Sequence, residues 1–133
     1  MKAVFADSFY YIAPISQDDE AHDRAVALSQ VLSLPIITTT WVLTEVADAL
    51  ASPETRGLLK EFIERLRADP KTTILPATQD LFDRGLNLYF DRADKEWSLT
   101  DCISFVVMSD YGLADALTAD RHFLQAGLVP LFQ

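Results

Sequence analysis

Short apolar runs alternate along this chain with longer stretches of helical periodicity, and that alternation constrains its fold more than any other feature. The runs are KAVFA at 2–6, PIITTT at 35–40, TTILPA at 72–77, DALTA at 115–119 and VPLF at 129–132. Each is short, bounded by turn-forming residues and rich in aliphatic or β-branched side chains, as suits strands buried on both faces. Between them lie helical patterns. Residues 18–33 carry acids in the first turn and Ala21, Ala25, Leu28 and Leu32 on one face. WVLTEVADALAS (41–52) follows a threonine run able to supply an N-cap. Residues 52–69 place Leu58, Leu59, Phe62, Ile63 and Leu66 at helical spacing after Pro53, and 78–93 open at Thr78. A polar loop, DKEWS, precedes SLTDCISFVVMS (98–109), whose helix should stop at Gly112, and DRHFLQAG (120–127) reads as a short helix. Strand and helix in alternation predict an α/β fold, a three-layer α/β/α sandwich around a five-stranded parallel sheet.

At 133 residues this is expected to be a single domain, 1–133. The only cysteine, Cys102, lies inside an apolar helix, which excludes a disulfide framework and a thiolate zinc cluster. No run approaches the roughly 18 apolar residues a membrane span needs, and MKAVFADS meets an acid at residue 7 before an h-region can form. The expectation is a soluble, cytoplasmic protein with no membrane partner. Eleven Lys and Arg against 20 Asp and Glu leave a net charge of −9, which disfavours nonspecific attraction to phosphate backbones.

Right-handed crossovers start every helix at the carboxyl edge of the sheet. Asp7 follows the first strand, Asp120 the fourth, Glu45 sits in the early turns after the second, and Asp101 in the first turn of the helix feeding the fourth. All four should therefore converge. Each has a local reading as well: Asp7 as a turn former, Asp120 as a helix cap, and Asp101 with Ser98 as an S-x-x-[DE] capping box. Glu45 borders the stripe made by Val42, Val46, Ala49 and Leu50, where an acid gains nothing by packing. Together the four are costly. Two carboxylates about 4 Å apart repel by roughly 4 kcal/mol at an effective dielectric of about 20, against a total domain stability of about 5–15 kcal/mol. Such a cluster must protonate, spread apart or hold a cation. A set of oxygen ligands with no His or Cys nearby favours Mg²⁺ or Mn²⁺ over zinc, and such an ion suits phosphodiester hydrolysis. His22 and His122 read as surface or helix-capping residues.

The settings FADSFYYIA, TEVADAL, SLTDCISFVVM and LTADRHFLQAG resemble the PIN-domain family, specifically the VapC-type toxin ribonucleases, over essentially the whole chain. The resemblance implies strand order 3-2-1-4-5 and a Mg²⁺- or Mn²⁺-dependent endoribonuclease acting on single-stranded RNA. It also implies frequent homodimerisation and a cognate antitoxin that inserts a peptide near the acids. Asp7 and Asp101 match the principal metal ligands, Asp120 a further ligand, Glu45 the acid that orients or activates water, and Thr118 a supporting hydroxyl. Ser8 stands where Thr is commoner, and Asp48 where Asn is frequent.

The acidic balance and dispersed basic residues imply weak RNA binding that collapses without the divalent ion. Phe9, Tyr10, Tyr11, Tyr89, Phe90 and Trp97 are expected in core or dimer packing rather than as base-stacking platforms. Two other readings stay open: a noncatalytic PIN-fold interaction module, and a phosphomonoesterase with Asp7 as nucleophile. The latter normally needs a second Asp two residues on, where this chain has Phe9.

Overall fold

The computed structural model describes residues 3–15, 23 and 33–132. The elements are β1 (Val4–Ala6), α1 (Ser8–Ile12), β2 (Ile36–Thr39), α2 (Thr40–Ala49), α3 (Arg56–Ala68), β3 (Thr72–Leu75), α4 (Gln79–Asp91), α5 (Leu99–Asp110), β4 (Asp115–Leu117), α6 (Arg121–Gln125) and β5 (Val129–Pro130). The helix expected over 18–33 falls outside the described residues, apart from Asp23.

The strands form one five-stranded sheet in the order β3-β2-β1-β4-β5, and every pairing is parallel. Central β1 pairs Val4 with Ile36 on one side and Phe5 with Ala116 on the other. Val4, Phe5 and Ala6 are all completely buried, as a strand covered on both faces requires. After β1 the chain moves towards β2, and after β4 it moves the opposite way towards β5. Right-handed crossovers therefore put α1, α2 and α3 on one face and α4, α5 and α6 on the other. The reversal of direction between β1 and β4 makes their carboxyl ends a topological switch point, where open α/β sheets bind ligands.

The helix starts follow local chemistry. Thr39 and Thr78 accept hydrogen bonds from the backbone N–H groups of Val42 and Leu81, capping α2 and α4. Ser98 and Asp101 form both halves of a capping box on α5. Gly112 takes φ +64° just past α5, and Leu113 N–H returns to Met108 O at 2.8 Å, a left-handed stop that glycine adopts freely. Two starts differ from expectation. α3 begins at Arg56, because Ser52 to Thr55 close a hydrogen-bonded turn first. α1 was not evident in the sequence, since its five residues are too few to show periodicity.

The core joins β1 and β4 to Val42, Val46, Ile103, Val107, Met108 and Phe123, all fully buried. α5 is buried on most of its circumference, lying between the sheet and α4, and it approaches α4 where Gly85 faces Ile103. Trp97 packs edge-on against Phe105, and Phe105 against Phe123, each with centroids 5.0 Å apart. Tyr11 and Trp97 are core residues as expected, whereas Tyr89 and Phe90, at the last turn of α4, are exposed. No helix among the described residues is long and apolar enough to cross a membrane.

Candidate metal centre

Asp7 is the first residue beyond β1 and stands at the N-cap of α1, yet its side chain does not cap that helix. The carboxylate is occupied elsewhere. Thr118, just past β4, donates its hydroxyl to Asp7 Oδ2 at 2.9 Å, and its oxygen accepts the backbone N–H of Asp120 at 3.1 Å. One fully buried hydroxyl thus ties together the ends of the two central strands.

Asp101 is carried by the first turn of α5. Its Oδ2 accepts the backbone N–H of Ser98 at 3.3 Å and lies 3.2 Å from His122 Nδ1. Asp120 caps α6: its Oδ1 accepts the backbone N–H of His122 at 2.9 Å and lies 3.4 Å from the same Nδ1. One atom from each of Asp101, Asp120 and His122 falls within 4.8 Å of the others. Glu45, half-buried on α2, receives a hydrogen bond from the Ser8 side chain and feels the charges of Asp101, Asp120 and Asp48.

The electrostatics report the crowding. Burial pushes the Asp7 carboxyl up to about 7, against the opposing hydrogen bonds from Thr118 and Ser8, with Glu45 and Asp101 adding to the rise. Asp101 is raised mainly by burial and further by Asp120, while its contact with His122 works the other way. Glu45 is raised by burial first, and then by Asp101, Asp120 and Asp48. Among the described residues no lysine or arginine forms an ion pair with any of these four acids. The region is therefore short of positive charge, as a cation site is.

All four sequence-nominated acids and Thr118 meet at this edge, and the local readings of Asp101 and Asp120 as caps are correct at the same time. Asp101, Asp120 and His122 are three metal-capable side chains whose donor atoms group within 4.8 Å. His122, read from the sequence as a surface or helix-capping residue, stands half-buried on α6 with Nδ1 beside both acids. Its signal was present: a residue two positions after an N-cap acid projects from the first turn, beside that acid.

The donor set suits a divalent ion. Oδ1 of Asp101 and Oδ2 of Asp120 take no hydrogen bond among the described residues, so both retain free lone pairs. The carboxylates suit Mg²⁺ or Mn²⁺, and an added imidazole suits first-row transition metals better than Mg²⁺.

A parallel sheet ordered 3-2-1-4-5, flanked by helices, with acids gathered beyond the ends of its central strands, defines a PIN-like α/β fold. Two solved structures share it. Mycobacterium tuberculosis VapC20, described as a sarcin-ricin loop cleaving toxin, aligns with a TM-score of 0.83 and 23% identity over 96% of this chain and 98% of that one. FitAcB from Neisseria gonorrhoeae aligns with a TM-score of 0.68 and 18% identity over 96% of this chain and 95% of that one. No family model and no curated protein matches the sequence.

Proposed function

We propose that this chain is a Mg²⁺- or Mn²⁺-dependent endoribonuclease of the VapC type, the toxin of a toxin–antitoxin pair acting in the cytoplasm. The observation that carries the reading is the burial of Asp7 and Asp101 beside Glu45 and Asp120, at the switch point of a PIN-like sheet, with no lysine or arginine paired to them among the described residues. A toxin that cleaves the sarcin-ricin loop is built on the same fold, which supports an RNA substrate.

Asp7, Asp101 and Asp120 would hold the ion, which when bound supplies positive charge to phosphate oxygens and acidifies a water molecule. The remaining roles belong to the chain itself. Thr118 fixes the Asp7 carboxylate through its donated hydrogen bond, so that Asp7 need not reorganise when substrate arrives. Glu45, held by Ser8 and raised above the ordinary carboxylate range, accepts a proton from the attacking water more readily than an unperturbed acid would. The capping box locks Asp101 at the head of a buried helix and keeps its direction constant. A net charge of −9 repels RNA from the rest of the surface, so productive binding depends on the cation. A homodimer, and an antitoxin peptide seated near the acids, complete the proposal.

The test is cleavage of a mixed RNA pool by the purified protein. Fragments bearing 5′-phosphates in Mn²⁺, none in chelator, and none with Asp7→Asn or Asp101→Asn are expected. Release of inorganic phosphate from small monoesters, with RNA left intact, would instead indicate a phosphomonoesterase. If both substrates survive while a small partner protein binds tightly, the chain is a noncatalytic module.

A further inference from the structure

Among the described residues, His122 is the one histidine at an edge otherwise furnished with carboxylates. Three features fix its position. Its backbone N–H is held by Asp120 Oδ1, the following Phe123 N–H returns to Asp120 O at 3.2 Å, and the Phe123 side chain is fully buried against Phe5 and Phe105. With the backbone pinned on both sides, the ring is directed back over the cap towards Asp101.

Nδ1 lies 3.2 Å from Asp101 Oδ2 and 3.4 Å from Asp120 Oδ1. The nearer contact is also a hydrogen-bond distance, but the ring faces two carboxylates at once, and Asp101 Oδ1 and Asp120 Oδ2 take no hydrogen bond among the described residues. One donor atom from each of the three side chains falls within 4.8 Å of the others, close enough to share one ion at bonds of about 2.0–2.2 Å.

We infer that His122 is a ligand of the divalent ion, through Nδ1, and that it biases the centre towards Mn²⁺ over Mg²⁺. This rests on the proposed metal-dependent function and makes its ion preference specific. Mg²⁺ strongly prefers oxygen, whereas Mn²⁺ accepts an imidazole readily and stands higher in affinity for mixed nitrogen and oxygen sites. As a ligand the ring is neutral, with its proton on Nε2.

The deciding experiment is pulsed EPR of the wild-type protein loaded with Mn²⁺, with calorimetric titrations of Mn²⁺ and Mg²⁺ into wild type and His122→Asn. A ¹⁴N coupling of directly bound imidazole is expected in the wild type and absent in the variant. Mn²⁺ should bind the wild type at least about 10-fold more tightly than Mg²⁺. The variant should lose about 10- to 100-fold in Mn²⁺ affinity and under about 3-fold for Mg²⁺. Mn²⁺ binding with no nitrogen coupling overturns the inference while leaving the metal-dependent function standing; it would make His122 an outer partner of the acids. If the wild type binds neither ion at millimolar concentration, both fall. The spectrum is taken on the wild type, so the result stands whether or not the variant folds.

Discussion

Asp101 and Asp110 sit nine positions apart on α5 and meet opposite fates. Asp110, at the exposed end, receives both terminal nitrogens of Arg84, at 2.7 and 2.6 Å, and the pairing holds its carboxyl below the ordinary range. Asp101, at the buried end, has no such cation, and burial raises it. Chemically identical side chains on one helix thus form a solvent-exposed ion pair at one end and a desolvated acid among other acids at the other. Burial without a lysine or arginine partner is what makes Asp101, and not Asp110, a candidate for the proposed cation site.

The sharpest way to break this contrast is to neutralise each acid in turn. Asp101→Asn should lower RNA cleavage in Mn²⁺ by about 10³-fold or more, and Asp110→Asn by less than about twofold. Comparable losses at the two positions, measured by initial rates on one RNA, would dissolve the distinction.

The next effect is on stability and its pH dependence. Asp7 ionises near 3.8 when unfolded and near 7 when folded. Between these values the folded protein keeps a proton the unfolded chain has lost, so metal-free stability is greatest at the acid end of that window and falls as pH rises through it, at up to roughly 1.4 kcal/mol per pH unit. Asp7→Asn should flatten this slope and be the more stable protein at pH 8 in chelator, although inactive. Added Mn²⁺ should restore wild-type stability at pH 8 through binding to the folded state. Urea titrations at pH 4.5, 6 and 8 measure all three.

A third test moves away from charge. A Cβ at Gly85 would overlap Ile103, so Gly85→Ala should cost about 1–3 kcal/mol by forcing α4 and α5 apart. Because α5 carries Asp101, activity should fall with stability here, more than it does for Gly57→Ala, whose Cβ meets open space. The smallest effect belongs to the solvent-exposed ion pair. Arg84→Ala should move the melting temperature by no more than about 3 °C, and less still in high salt, because the pair is exposed and screened.

Much of this was readable from residue order. Five short apolar runs separated by helical periodicity specify a parallel α/β sheet, because the two periods of side-chain alternation are fixed by backbone geometry. Ser98, Thr39 and Thr78 announce helix starts because capping is a local hydrogen bond. Asp7, Glu45, Asp101 and Asp120 could be nominated together because crossover handedness sends strand ends and helix starts to one edge.

Other features depended on the assembled chain. How near His122 comes to Asp101 depends on how α6 turns back over the end of β4 as Phe123 takes its place in the core, and residue order alone, which suggested a surface or capping role, does not convey it. The helix α1 and the exposure of Tyr89 and Phe90 were hidden for the same kind of reason: one is too short to show a period, and the others owe their position to the last turn of α4 ending outside the core. Local hydrogen bonding and periodicity act over a few residues and are written in sequence. The loss of solvation at Asp7 and Asp101 arises only when segments more than a hundred positions apart close over them, so the charge imbalance of the site belongs to the tertiary structure.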